Sequence, residues 1–277
     1  MADKPSYIRK ADWAEQHLIH LTLLLGAFAD KHPYTVTDPV ENKRGERFSR
    51  LVFTESPDPD VGLIAGDIIY NLRASFDYLI GSLVQSSERS KVLCPILHEP
   101  VWEIPHVSTE NKQRTKNRER WYSLAHHIGS TDAIAVLKDL MPLDSRRKPS
   151  KEHPLNLIKE HPLDLINRLS NKDRHQRLPI LTWGLKDVRP KFILSGSGQI
   201  APAKILDFDR RWEGVKNNAP IAVPDNVVYV KLRGTPVVLI RIGEERSNFR
   251  IPGVFWAMLN WLRTEAFPKL GQYSRPT

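Results

Sequence analysis

Apolar residues recur at helical spacing most clearly between Gly62 and Gln85, in GLIAGDIIYNLRASFDYLIGSLVQ. Ala65, Ile68, Ile69, Leu72, Phe76, Leu79 and Leu83 share one face at the 3.6-residue period, which predicts a core helix. Beside that stripe run Tyr70, Arg73 and Asp77, with Gly66 and Gly81 close by. Arg73 and Asp77 are four positions apart and can meet on the helix surface, on a side so poor in bulk that a second element is expected to pack there. Residues 8–30 predict a first helix with Trp13, Leu18, Leu21, Leu25 and Phe28 on one face and His17 and His20 beside it, ended by Pro33. YTVT and RFSRLVFTE then alternate as strands around a charged turn and predict a hairpin over about 34–55. SPDPDVG breaks the chain before the central helix, with Asp60 as its expected N-cap.

After Gln85 the regularity lapses through VLCPILHEPVWEIP, where prolines at 95, 100 and 105 predict a loop packed over the helices. Lys112, Arg114, Lys116, Arg118 and Arg120 follow, with Glu119 the nearby acid and Trp121 and Tyr122 at the end. Such a run reads either as a solvated, charged face or as a phosphate-contacting patch with aromatics at its edge. STDAIAVLKDL predicts a short helix capped by Ser130 or Thr131. KEHPLNLI at 151–158 is repeated at once as KEHPLDLI at 159–166; an eight-residue unit is too short for a solenoid and reads as a local duplication that lengthens one connection. The second copy opens a helix through Leu165, Ile166 and Leu169, with Pro162 near its first turn, that leads into NRLSNKDRHQRL.

From Pro179 the period changes to two, and KFIL, AKILDF, VVYVKL and PVVLIRI predict strands of an antiparallel sheet, the last two separated by a turn at RGT. A final helix from about Pro252 to Phe267 is expected to lie across that sheet or against the helices. Helices first and strands second define an α+β protein: a helical bundle over 1–178 with an inserted hairpin, then a β-rich region over 179–277 closed by the last helix.

Composition narrows the setting. The 277 residues carry 41 Lys and Arg against 32 Asp and Glu, a net charge of +9 that suits polyanionic partners without requiring them. A single cysteine, Cys94, excludes an internal disulfide and a cysteine-rich zinc site. The N-terminal stretch lacks a signal-peptide core, and HLTLLLGAFA is too short to span a bilayer, so a cytoplasmic protein without a membrane partner is expected. No Gly-rich phosphate loop with Lys, no GxGxxG, no GxSxG and no HExxH is present, which argues against the common nucleotide, serine-hydrolase and zinc-protease chemistries and leaves no cofactor to expect.

The remaining chemistry lies in His17, Asn71, Arg73, Asp77, Asp173, Arg174 and His175, drawn from three helices. One reading is a non-catalytic structural or protein-interaction module: charges beside a helix core must be paired, the set fixes packing without turnover, and the sheet or basic face binds another protein. A second makes it a pocket for a phosphate-bearing ligand such as RNA, with His175 as general acid or base, Arg73 and Arg174 holding phosphate, and Asp77 and Asp173 as orienting groups. A metal held by His17, Asp77, Asp173 and His175 is disfavoured, because the neighbouring arginine repels a cation.

NLRASFD and LSNKDRH resemble the two signature segments, approximately NLRxxLDxL and LSNxDKHR, of a family of uncharacterised bacterial proteins of similar length. Asn71, Leu72, Arg73 and Asp77 match the first and Leu169, Ser170, Asn171, Asp173 and His175 the second; Phe76, Arg174 and Gln176 depart from it. The resemblance implies a β-rich half and a terminal helix after these segments and supplies positions rather than an activity. Arg168 and His175, separated by six residues, also resemble the Arg-then-His pattern of HEPN domains. That resemblance implies a metal-independent ribonuclease in which two protomers face one another as a homodimer and RNA is cut by attack of its own 2′-hydroxyl. The residue after the arginine is Leu169 here, where that pattern carries a polar one.

Overall fold

The computed structural model describes residues 4–84, 89, 94–103, 112–143, 160–175, 181–194, 200–202, 204–205, 208–209, 214–216, 219–223, 227–241 and 248–274. Beyond Asn171 in its helix, and over much of the long strands, the backbone alone is described. The first copy of the KEHPL repeat, the basic linker before it and residues 176–180 lie outside the described residues. The protein is α+β, and its contacts divide it into two compact units: 1–18, 65–177 and 253–277 in one, 19–64 and 178–252 in the other.

The helical unit is organised around α2 (Asp60–Leu83). Ala65, Ile68, Leu72, Phe76 and Leu79 are all fully buried, as the periodicity requires, but Ile64, Ile80 and Val84 are buried too. The buried part of α2 is thus wider than one stripe, while Leu63, Tyr70 and Tyr78 stay exposed on its other side. Its entry is held by Asp58, whose Oδ1 accepts the Asp60 amide at 2.9 Å, so the capping carboxylate stands two residues before the expected one. Along α1 (Ser6–Asp30) the buried line in this unit is Tyr7, Ala11, Ala14 and Leu18. Trp13, expected on that face, is 57% exposed, while Ala11 and Ala14 are fully buried. The Ser75 hydroxyl of α2 donates to the Tyr7 carbonyl at 2.7 Å.

Helices α3 (Lys112–Ile128), α4 (Thr131–Asp139) and α5 (Pro162–His175) complete the middle of the chain. Ser130 caps α4 by accepting the Ala133 amide, and Pro162 opens α5 with the His161 ring nitrogen accepting the Leu163 amide. The last helix belongs to this unit. It begins as α6 (Gly253–Trp261), passes through a π turn at 262–266 and ends as α7 (Phe267–Gly271). Pro268 has no amide to donate to the fourth residue before it, and the wider turn, closed by the Phe267 amide on the Leu262 carbonyl, accommodates it. Trp261 packs on Phe76 and His161, and Arg263 in the π turn forks onto Glu15 and Asp12 of α1.

The second unit contains two antiparallel sheets. Strands β1 (Tyr34–Val36), β2 (Val40–Glu41) and β3 (Arg47–Phe53) form the expected hairpin region, but β3 also pairs with the distant β9 (Pro220–Ala222), Ser49 opposite Ile221. The hairpin is therefore a part of the β-rich unit, not an insertion in the bundle. β4 (Leu181–Leu194), β5 (Ile200–Pro202), β7 (Phe208–Asp209), β8 (Gly214–Lys216), β10 (Val227–Arg241) and β11 (Asn248–Ile251) build the other sheet, and β6 (Lys204–Ile205) joins β9. Leu51, Leu185, Ala219, Ile221, Val223 and Val227 form its core, with Tyr34, Val36 and Phe53 against them.

The expected turn at RGT is absent: β10 runs straight through, with a register shift between Arg233 and Thr235. A Cβ on Gly234 would stand 3.0 Å from the Lys186 carbonyl oxygen and 3.2 Å from Leu185 Cβ, so only glycine lets the strands close here. The Tyr34 hydroxyl satisfies the irregular point, donating to the Gly234 carbonyl and accepting its amide.

Candidate functional site

Arg73 is the centre of the polar cluster. Its side chain is 11% exposed on α2, and its Nε and Nη2 fork onto the two carboxylate oxygens of Asp77 at 3.0 and 2.8 Å. The other donors reach across to different elements: Nη1 to Asn167 Oδ1 on α5 and Nη2 to the Cys94 carbonyl, both at 3.2 Å. Asn171, one turn along α5, donates to the same Asn167 oxygen. The small side of α2 noted in the sequence is thus where α5 and the Cys94 loop meet it. Burial pushes the Cys94 thiol up to about 12, Arg73 opposing the shift and Asp77 adding to it, so the sulfur is held as an unreactive neutral group.

The loop 94–99 meets three helices and is hydrogen-bonded to two of them. Beyond the Arg73 bond, His98 Nε2 lies 3.5 Å from Asp164 Oδ1 on α5, and Glu99 accepts both arms of Arg114 on α3. The hydrogen bonds from Arg114 hold the Glu99 carboxyl below its ordinary value, burial opposing them. A carboxylate lowered in the fold stabilises it above the ordinary value of 4.5 and ceases to do so as pH falls through the lowered one. The wild type is therefore expected to lose thermal stability more steeply than Glu99→Gln as pH falls below 4.5, measured by melting at each pH.

Other residues named from sequence fall elsewhere. Arg168 is paired with Glu160 and Asp164. Asn71 donates to the Asp67 carbonyl and accepts from Lys10, on a different side of α2 from Arg73. Tyr7 meets Ser75 and Lys10 meets Asn71, so α1 runs antiparallel to α2 and His17 lies about 13 Å along the axis from the level of Arg73. Its ring neighbour is Trp13. The structure does not bring His17 or Asn71 into the Arg73 cluster, since helix packing puts them on other faces and levels. The side chains of Asp173, Arg174 and His175 lie outside the described residues, although α5 extends to His175. Among the described residues no group of three or more His, Cys, Asp or Glu could hold a metal, and no helix is long and apolar enough to cross a membrane.

Asn167, His98, Asp164, Glu99 and the Cys94 carbonyl were not visible as site members in the sequence. Asn167 stands four residues before Asn171, and that spacing was the one available signal. Loop residues carry no period, and a carbonyl carries no residue-type signature. Compared with protein-family models, curated proteins and solved structures, the chain shows no match.

Proposed function

We propose that the chain is a non-catalytic binding module in which the polar cluster fixes α2, α5 and the loop 94–99 together. The observation that carries this reading is the engagement of Arg73: a carboxylate fork on one side, Asn167 and the Cys94 carbonyl on the other. Arg114 and Arg168 each face carboxylates as well. A phosphate would have to displace an acid at each of these arginines, which is the opposite of a site built for anions. One buried cysteine and a basic chain fit a cytoplasmic setting.

A second reading keeps catalysis: metal-independent RNA cleavage of HEPN type by a homodimer, with His175 as the proton-transfer group and Arg168 beside it. It is favoured by α5 being unbroken from Arg168 to His175, which keeps the two positions seven residues, or about two helical turns, apart on one helix.

One experiment separates them. Wild type and His175→Ala are incubated with single-stranded RNA in chelator, and both are melted. The binding-module reading expects intact RNA in both. RNA cut by the wild type and spared by a His175→Ala variant of unchanged melting temperature overturns it in favour of the nuclease.

A further inference from the structure

We infer that the solvent face of α3 is a docking surface for single-stranded nucleic acid. Lys112, Lys116 and Arg120 are exposed and follow one another at four-residue steps, about 6 Å apart along the helix axis. The opposite side is fixed in place: Trp121, Leu124 and Ile128 are buried, and Trp121 packs on Trp102 at 4.8 Å between ring centres. Arg114 and Arg118 belong to that inner side, Arg114 forked onto Glu99 and Arg118 buried. What remains outside is a row of cations, and Tyr122, 51% exposed, stands on the far flank of the exposed face, about 160° round the helix from Arg120.

The arrangement works against the helix that bears it. Like charges four residues apart repel, and a lysine in the first turn, where no acid stands, faces the positive end of the helix dipole. A merely solvated face gains stability by alternating acids with bases at this spacing, and α3 has a single acid, Glu119. Among the described residues none of the three outer cations has a carboxylate partner, whereas Arg73, Arg114, Arg168 and Arg263 all do. Cations left open at regular intervals suit the phosphates of a strand. The exposed tyrosine on the flank of the same helix suits an unpaired base of a flexible strand, which can stack where a base inside a duplex cannot. The inference goes beyond the binding-module reading by naming the partner, and the surface stands whether or not the strand is cut.

The test uses the full chain, a fluorescent oligouridylate of about 20 nucleotides and a triple variant, Lys112→Gln, Lys116→Gln, Arg120→Gln. Three neutralised phosphates give a slope of about −2 in log affinity against log salt, or roughly twentyfold weaker binding from 50 to 200 mM. The wild type is expected to show this, and the variant, melting as the wild type does, to bind at least about tenfold more weakly at 50 mM with a nearly flat slope. No binding by the wild type at low salt, equal binding by the variant, or binding to anionic vesicles but not to the oligonucleotide overturns the proposal. A gel of the recovered oligonucleotide reads the other question separately: cut RNA with the expected salt slope sinks the non-catalytic reading and leaves the docking surface standing.

Discussion

Phe76→Ala is expected to destabilise the protein by about 4 kcal/mol, the usual range for deleting a fully buried ring being about 3–5. Phe76 is 0% exposed at the middle of α2, between Leu72 and Leu79, and its ring lies 6.3 Å from that of Trp261 on the last helix. The loss has two parts: the apolar surface no longer removed from water, and a cavity that a rigid helix crossing cannot close. Since whole domains are stable by only about 5–15 kcal/mol, the variant should unfold at a much lower urea concentration with an unchanged slope. Phe76→Leu keeps much of the volume and is expected to cost less than about 1.5 kcal/mol. Similar losses for the two variants would mean that the ring is not filling the site.

Arg73→Ala is expected to cost about 2 kcal/mol. Removing one partner of a fully buried ion pair costs about 3–5 kcal/mol, but Asp77 keeps 33% exposure and regains some water when its partner is lost, which lowers the figure. The Cys94 carbonyl would also be left to find a new donor, while Asn167 Oδ1 keeps that of Asn171. A cycle with Arg73→Ala, Asp77→Ala and the double variant measures the coupling, expected at about 1–2 kcal/mol and favourable. Were Arg73 instead kept for a ligand, its removal would leave stability unchanged or raise it, as is common for groups held under strain for function. Oligonucleotide binding should be indifferent to all three variants, because the α3 face is a separate set of side chains.

The sequence made the helices legible because an apolar period is a local property, and the Arg73–Asp77 pair is also local, four residues apart on one helix. What Arg73 does with its remaining donors depends on Asn167, 94 residues away, and on a backbone carbonyl, and neither leaves a trace in spacing. His17 looked like a member of the cluster because its type suited the chemistry, yet its level along α1 is set by the Tyr7–Ser75 and Lys10–Asn71 contacts. In the β-rich unit the strands were readable from alternation, while their partners were not. RGT carries turn residues and still runs as strand, since Gly234 is there for the closeness of Lys186 and Leu185 rather than for a reversal.

The pairing of Ser49 with Ile221 has a consequence for how the chain is made. During synthesis β3 leaves the ribosome long before β9, and until then one of its edges presents bare amides and carbonyls to whatever passes. The helical unit waits as well, because Arg263 is made 248 residues after its partner Glu15, and Trp261 long after Phe76. Each unit therefore closes only after distant segments have been made, and until then the locally encoded helices are the parts of the nascent polypeptide able to form.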